Sequence, residues 1–426
     1  MNIALCCCLW LFFPGATTTG EGKLMYPDLV NRFYTLHQRP LFWFAHNAES
    51  YEMRYTLREM LDSSEADGLD KSKYHYNELL AGIDTAGLAA DPARLKMLDR
   101  VFTDAAIAWC RDMYTGAGIT SRVSYDGISK KYTARDNNYL LNGLALSQTA
   151  GALREFMQSL IPRAQEYTAL KTALRQHPVG HADKSTRQLV QSLNIYRWMH
   201  HFKFDKWVEI NIAAATLRYC EYDSIKIRAK VVVGKPSTRT PRFAAYCNQV
   251  VLYPYWNVPH SIAVKELLPI FKRLPFLVDS LDMRVLDAAG HTVDPHSLDW
   301  ASFSQAYFPY SVRQSTGCNN ALGVVKFNLN SPYDVYMHDT NLKSAFSSVY
   351  RYYSHGCIRV EKPVELATAL LPGRIDSAFL RACYKDLRPI SIDLEAPVPV
   401  FVVYATAVAD STGKVSFYRD IYHLLH

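Results

Sequence analysis

An α+β fold is predicted, with a helical N-terminal half leading into a β-rich half. Two observations carry this. Between residue 24 and about residue 205 apolar residues recur at helical spacing. From Lys206 onward, short stretches alternate apolar and polar side chains, as half-buried strands do. The chain has 426 residues, enough for two or three domains, with no internal repeat or low-complexity segment.

The first element is a leader. Residues 3 to 13 read IALCCCLWLFF, followed by Pro14, Gly15 and Ala16 and a polar stretch to Lys23. An apolar core of this length ending in small residues is the pattern of a secretory signal, so residues 1–16 are expected to direct export to the periplasm or cell envelope. Cys6, Cys7 and Cys8 lie inside that core rather than after it, which argues against a lipid anchor. No later run approaches the ~20 apolar residues a membrane span requires.

Helices are expected next, over residues 17–205. Glu49 to Asp62 lacks Pro and Gly and spaces Met53, Leu57, Met60 and Leu61 along one face. Asp91-Pro92 reads as a cap followed by the first helical residue. Leu144 to Leu160 and Ser185 to His200 complete the set, the last placing Leu189, Leu193 and Tyr196 on one side. Strands follow at Val208–Ile212, Ile225–Val231, Val250–Tyr253, Val324–Phe327, Val335–Met337 and Val400–Val403. Within this domain, residues 206–405, an insertion near 260–312 carries few strand signals. It opens with a helical stretch, Ser261 to Leu268, that Pro269 should stop or kink. Residues 406–426 form a C-terminal extension.

Composition narrows the function. The net charge of +7 comes from 47 basic and 40 acidic residues mixed along the chain, and neither a zinc-finger spacing nor an RNA-binding aromatic motif is present. No nucleic-acid partner is expected. Past the leader lie Cys110, Cys220, Cys247, Cys318, Cys357 and Cys383, with no C-x-x-C pair. Most are expected to be buried apolar side chains.

Residues 333–363 carry the chemistry: YDVYMHDTNLKSAFSSVYRYYSHGCIRVEKP. A strand delivers His338 at its end, a polar loop follows, and Ser354-His355-Gly356-Cys357-Ile358-Arg359 leads into a helix. A thiol attacks as thiolate, and a nearby imidazole can lower its pKa and pass the proton to a leaving amine. Gly356 lets backbone approach a substrate, and the amides of 355–357 could form an oxyanion hole. Cys357 could instead be an inert buried thiol. A zinc site is not expected, because the H-x-C spacing lacks an evident fourth ligand. His355, two residues from Cys357, could line the groove.

The order H-x-T, loop, S-H-G-C-I-R resembles the active-site signature of L,D-transpeptidases with a YkuD-type catalytic domain. Val231-Val232-Val233-Gly234-Lys235-Pro236, Thr240-Pro241-Arg242-Phe243, Pro254-Tyr255-Trp256-Asn257-Val258-Pro259, Arg313-Gln314 and Asn320-Ala321-Leu322-Gly323-Val324-Val325-Lys326-Phe327 resemble the long periplasmic subgroup. The resemblance covers about 206 to 370, and the helical half resembles that subgroup's scaffold more loosely. It implies a helical scaffold before a β-sandwich-like catalytic domain with a cap over the groove.

It implies further that Cys357 is the nucleophile and His338 the base, oriented by a main-chain carbonyl. The reaction implied is cross-linking of peptidoglycan stem peptides, a tetrapeptide donor and a diamino-acid amine acceptor, without a cofactor. Carbapenems are implied as inhibitors. Trp256 and Tyr255 could stack on the stem or pack. Arg359 could hold a stem carboxylate or brace Asp339, and Ser354, Asp339 and Thr340 fall among the expected substrate contacts. The same residues would serve an L,D-carboxypeptidase or an enzyme detaching wall-linked proteins, and an idle wall-binding scaffold is the rival outside enzymes. Three positions depart from the pattern: Asp339 stands where Gly is frequent, and Thr316 and Asn341 where Pro is usual. Residues 150 to 185 are too few for the peptidoglycan-binding module of longer members.

Overall fold

A computed structural model describes residues 23–45, 47–83, 91–118, 124–125, 133–176, 183–222 and 224–425. The leader expected at 1–16 lies outside them. Two compact units form. One draws on described residues up to Asp62, within Lys71–Trp109 and on Tyr139–Phe156; the other on Ser63–Asp70, the described part of Cys110–Asn138, and Met157 onward. No helix among the described residues is long and apolar enough to cross a membrane.

In the first unit the helical spacing becomes packing. Helix Ala48–Asp62 buries Met53, Leu57, Met60 and Leu61. Asp91 caps helix Pro92–Thr115, its carboxylate accepting from the N–H groups of Ala93 and Arg94 at 3.0 and 3.1 Å. Asp99 on that helix is fully buried, and its carboxylate accepts from the amides of Phe42, Trp43 and Phe44 and from the Tyr34 hydroxyl. Leu144 to Leu160 is not continuous. Helices Ala134–Leu146 and Ala150–Ser159 break at Ser147, whose hydroxyl donates back to Gly143 O, and Thr149 Oγ1 accepts from Ala152 N–H to start the second.

The second unit holds the strands. Label β1 Lys206–Asn211, β2 Thr216–Glu221, β3 Ser224–Gly234, β4 Phe243–Leu252, β5 Val325–Leu329, β6 Met337–His338, β7 Ile358–Val360 and β8 Ile390–Val403. Their pairing runs β4-β5-β6-β7-β3-β2-β1-β8, and β8 pairs again with β4. The expected sandwich-like packing therefore takes the form of one sheet closed on itself, which leaves few unpaired edges. Val208, Ile210, Leu217, Val231, Val233, Phe327, Met337, Ile358, Val400 and Val402 point inward, packed with Leu366 and Ala367 from helix Pro363–Leu370. Outside, helix Lys184–His201 lays Ile195, Trp198 and Met199 on Trp207, Ala244, Phe401 and Val403.

The insertion departs from expectation twice. Pro269 does not stop its helix. A π-turn at Ala263–Leu267 runs directly into helix Leu268–Arg273, and its wider backbone spacing lets the helix continue through Pro269. It also contains a small sheet of its own: Met283–Leu286 pairs with Thr292–Val293 and with Ser311–Gln314, which pairs with Trp256–Asn257. These strands have two to four residues, too short for alternation to register.

Candidate active site

Register decides which side chains share the site. His338 stands opposite Lys326 on β5 and opposite Arg359 on β7. Successive side chains alternate faces, so Lys326, His338 and Arg359 lie on one face while Phe327, Met337 and Ile358 point into the core. Cys357, two residues before Arg359, and Tyr336, two before His338, fall on that same face. Ile358 N–H donating to Tyr336 O holds the two segments together at 3.0 Å. The strand expected at Val335–Met337 is shorter and shifted: only Met337 and His338 pair as strand.

A turn shapes the nucleophile loop. Ser354 Oγ donates to Cys357 O at 2.7 Å and accepts from Gly356 N–H at 3.2 Å. Gly356 has φ +124°, a conformation that side chains resist. The loop rests in a cradle from the Gly234–Thr240 segment. Thr240 donates to Gly356 O at 2.7 Å and accepts from Gly234 N–H at 2.9 Å; Thr238 and Lys235 N–H both donate to Ser354 O. A Cβ on Gly234 would stand 2.1 Å from Thr238 O, so that approach requires glycine. Tyr422, buried in the C-terminal extension, donates to Gly234 O and accepts from Thr240 N–H.

The electrostatics are those of a neutral pair. His338 is buried, and burial with the Arg359 and Lys326 cations pushes its pKa from 6.5 down to about 3, against the Asp339 carbonyl hydrogen bond. Its Nδ1 donates to that carbonyl, leaving Nε2 as the lone-pair nitrogen. The Cys357 thiol is pushed up by burial, although Tyr336 and Lys326 oppose this; its Sγ lies 3.6 Å from Asp334 O. The lowered thiol pKa expected from a nearby imidazole is thus not present in the resting site. Cys357 rests as thiol on the same sheet face as a neutral imidazole.

Residues 205–389 match the model of the L,D-transpeptidase catalytic domain, YkuD, and residues 28–174 match that of the scaffold domain. The chain carries an L,D-transpeptidase catalytic domain. A Haemophilus influenzae protein, whose L,D-transpeptidase name is itself an inferred one, is 28% identical over 95% of this chain and 79% of its own length. Among solved structures, an L,D-transpeptidase from Mycobacterium smegmatis is 14% identical over 46% of this chain and 58% of that one, less than two thirds of its length, with a TM-score of 0.22. L,D-transpeptidase 1 of Mycobacterium tuberculosis gives 14%, 46% and 61%, with a TM-score of 0.18.

Several of the side chains expected to contact substrate in this transpeptidase domain also support its loops. Asp339 is buried, pairs with Lys343 rather than Arg359, and accepts from Val324 and Thr340 N–H. Gly323, at φ +57°, packs where a Cβ would strike the Asp339 carboxylate. Thr340 is buried with its hydroxyl accepting from Leu342 N–H. Ser354 is buried within the turn. Gly356 N–H is occupied by Ser354, whereas the His355 and Cys357 amides have no partner among the described residues. Trp256 packs on the core of the insertion and Tyr255 lies under Arg313 at 4.7 Å, and both side chains stay partly exposed. Arg359 remains half-buried on the site face.

Sequence reading missed four contributors: Lys326, whose Nζ lies 4.2 Å over the Tyr336 ring; Tyr336 itself; Thr240; and Glu266, 2.6 Å from His355. Only the alternation around Lys326 could have revealed one of them. It also missed the Cys318–Cys383 disulfide, 65 residues apart, with Cα atoms 5.2 Å apart.

Proposed function

We propose that this chain is an exported peptidoglycan L,D-transpeptidase that joins stem peptides through a thioester on Cys357. The observation that carries the reading is His338 with Nδ1 tied to a main-chain carbonyl and Nε2 free, on the same sheet face as the half-buried Cys357. Nε2 takes the thiol proton as Sγ attacks the carbonyl of the third stem residue. The His355 and Cys357 amides receive the oxyanion, where each donor is worth ~3 kcal/mol. The proton then passes to the leaving D-Ala nitrogen, the C–N bond breaks, and a thioester remains. Attack by the side-chain amine of a second stem gives the 3-3 cross-link; attack by water gives the tripeptide. Burial, with the Arg359 and Lys326 cations acting in the same direction, holds the imidazole pKa low, so the base is not consumed by protonation at neutral pH. A thiol of this kind also opens strained amides, which supports carbapenems as covalent inhibitors.

The test is incubation with defined tetrapeptide stems followed by mass spectrometry. A dimer lacking one D-Ala supports transfer. Tripeptide alone supports carboxypeptidase chemistry, and unchanged stems sink the enzymatic reading.

A further inference from the structure

The insertion reaches the loop that carries Cys357 through a side-chain hydrogen bond. Glu266 Oε1 lies 2.6 Å from His355 Nε2, and His355 is two residues from Cys357, at most about 7 Å along extended chain. Both side chains face solvent, 49% and 38% exposed, so the pair sits at the rim of the site. Glu266 is firmly carried. It lies in the π-turn, a geometry frequent at functional sites, whose Ala263, Val264 and Leu267 are anchored in the core of the insertion. The site face beneath carries the cations Lys326 and Arg359. Glu266 therefore brings negative charge to a site whose floor is positive.

We propose that Glu266 recognises the acceptor: its carboxylate receives the primary ammonium of the incoming diamino acid, displacing His355. This rests on the transfer reading above. Water surrounds the thioester in excess, and an amine competes only if held near it. At neutral pH that amine arrives as an alkylammonium, which a carboxylate attracts. An imidazole is an exchangeable placeholder, since it offers this carboxylate one donor where an ammonium brings three. Held at the rim, the ammonium gives one proton to solvent. The neutral nitrogen attacks the thioester carbonyl, the N–C bond forms and the C–S bond breaks. The second nitrogen proton passes through His338 to Sγ, and Cys357 returns as thiol.

The full chain is acylated with a tetrapeptide donor and given increasing amounts of a stem acceptor, and dimer and hydrolysed tripeptide are quantified by mass spectrometry. Their ratio does not depend on how fast the acyl-enzyme forms. Glu266→Gln should raise the half-saturating acceptor concentration about fivefold, the size of a partly exposed ion pair, and Glu266→Asp should recover part of the loss. An unchanged half-saturation, with faster acyl-enzyme hydrolysis in acceptor-free buffer, would show that the pair only holds the insertion shut and overturn the proposal. Failure of the wild-type chain to form any acyl-enzyme would overturn the parent reading, and this one with it.

Discussion

Cys357 and His338 divide the work by environment rather than by residue type. Burial disfavours charge on both, and the Arg359 and Lys326 cations act on the imidazole in the same direction. The base is neutral above about pH 3, and the thiol keeps its proton beyond its usual range. Acylation should therefore show a plateau across about pH 5–8, without the inflection near 6.5 of an ordinary imidazole. Arg359→Met removes one depressing charge, so the His338 pKa should rise and the acid limb move to higher pH; a stopped-flow acylation profile checks this. His338→Ala should lose about 10²–10⁴-fold in acylation, while His355→Ala keeps part of it. A larger loss at His355 would reverse the two roles. The segment that carries Cys357 and His338 was legible in the sequence because motif and spacing survive in one dimension. Lys326 and Tyr336 were not, because only register places them on the same face as His338.

Strand and helix signals were legible wherever an element was long. Met53, Leu57 and Leu61 pack as their spacing requires, and β1 to β3 carry their alternation into the closed sheet. The short strands of the insertion were invisible for the opposite reason, and the helix through Pro269 needed a π-turn that no spacing announces. Two elements invite tests. Thr240→Val leaves the Gly234 amide without its acceptor and frees Gly356 O, so it should cost about 1–3 kcal/mol in denaturant unfolding and slow acylation as the nucleophile loop loosens. In the scaffold, Asp99→Ala orphans the amides of Phe42, Trp43 and Phe44 and should cost about 3 kcal/mol or more, seen as a lower melting temperature.

Across the whole molecule, cysteine chemistry is sorted by access. Cys110, Cys220 and Cys247 are buried and their thiols pushed up, two of them to about 12, whereas Cys357 is half-exposed. Cys318 and Cys383 are bonded to each other, a pairing hidden by 65 residues of separation. Closing a loop of that length is worth about 4 kcal/mol in the chain-entropy account, so reduction should lower the melting temperature by several degrees. Among the described residues, access makes Cys357 the thiol expected to react. The most direct test is intact-mass and peptide mapping after carbapenem treatment of the native chain. One stable adduct should appear on Cys357, and Cys357→Ser should lose both adduct and cross-linking, because a serine hydroxyl beside this base keeps a high pKa. An adduct on Cys220 or Cys247, with Cys357→Ser still joining stems, would contradict the mechanism.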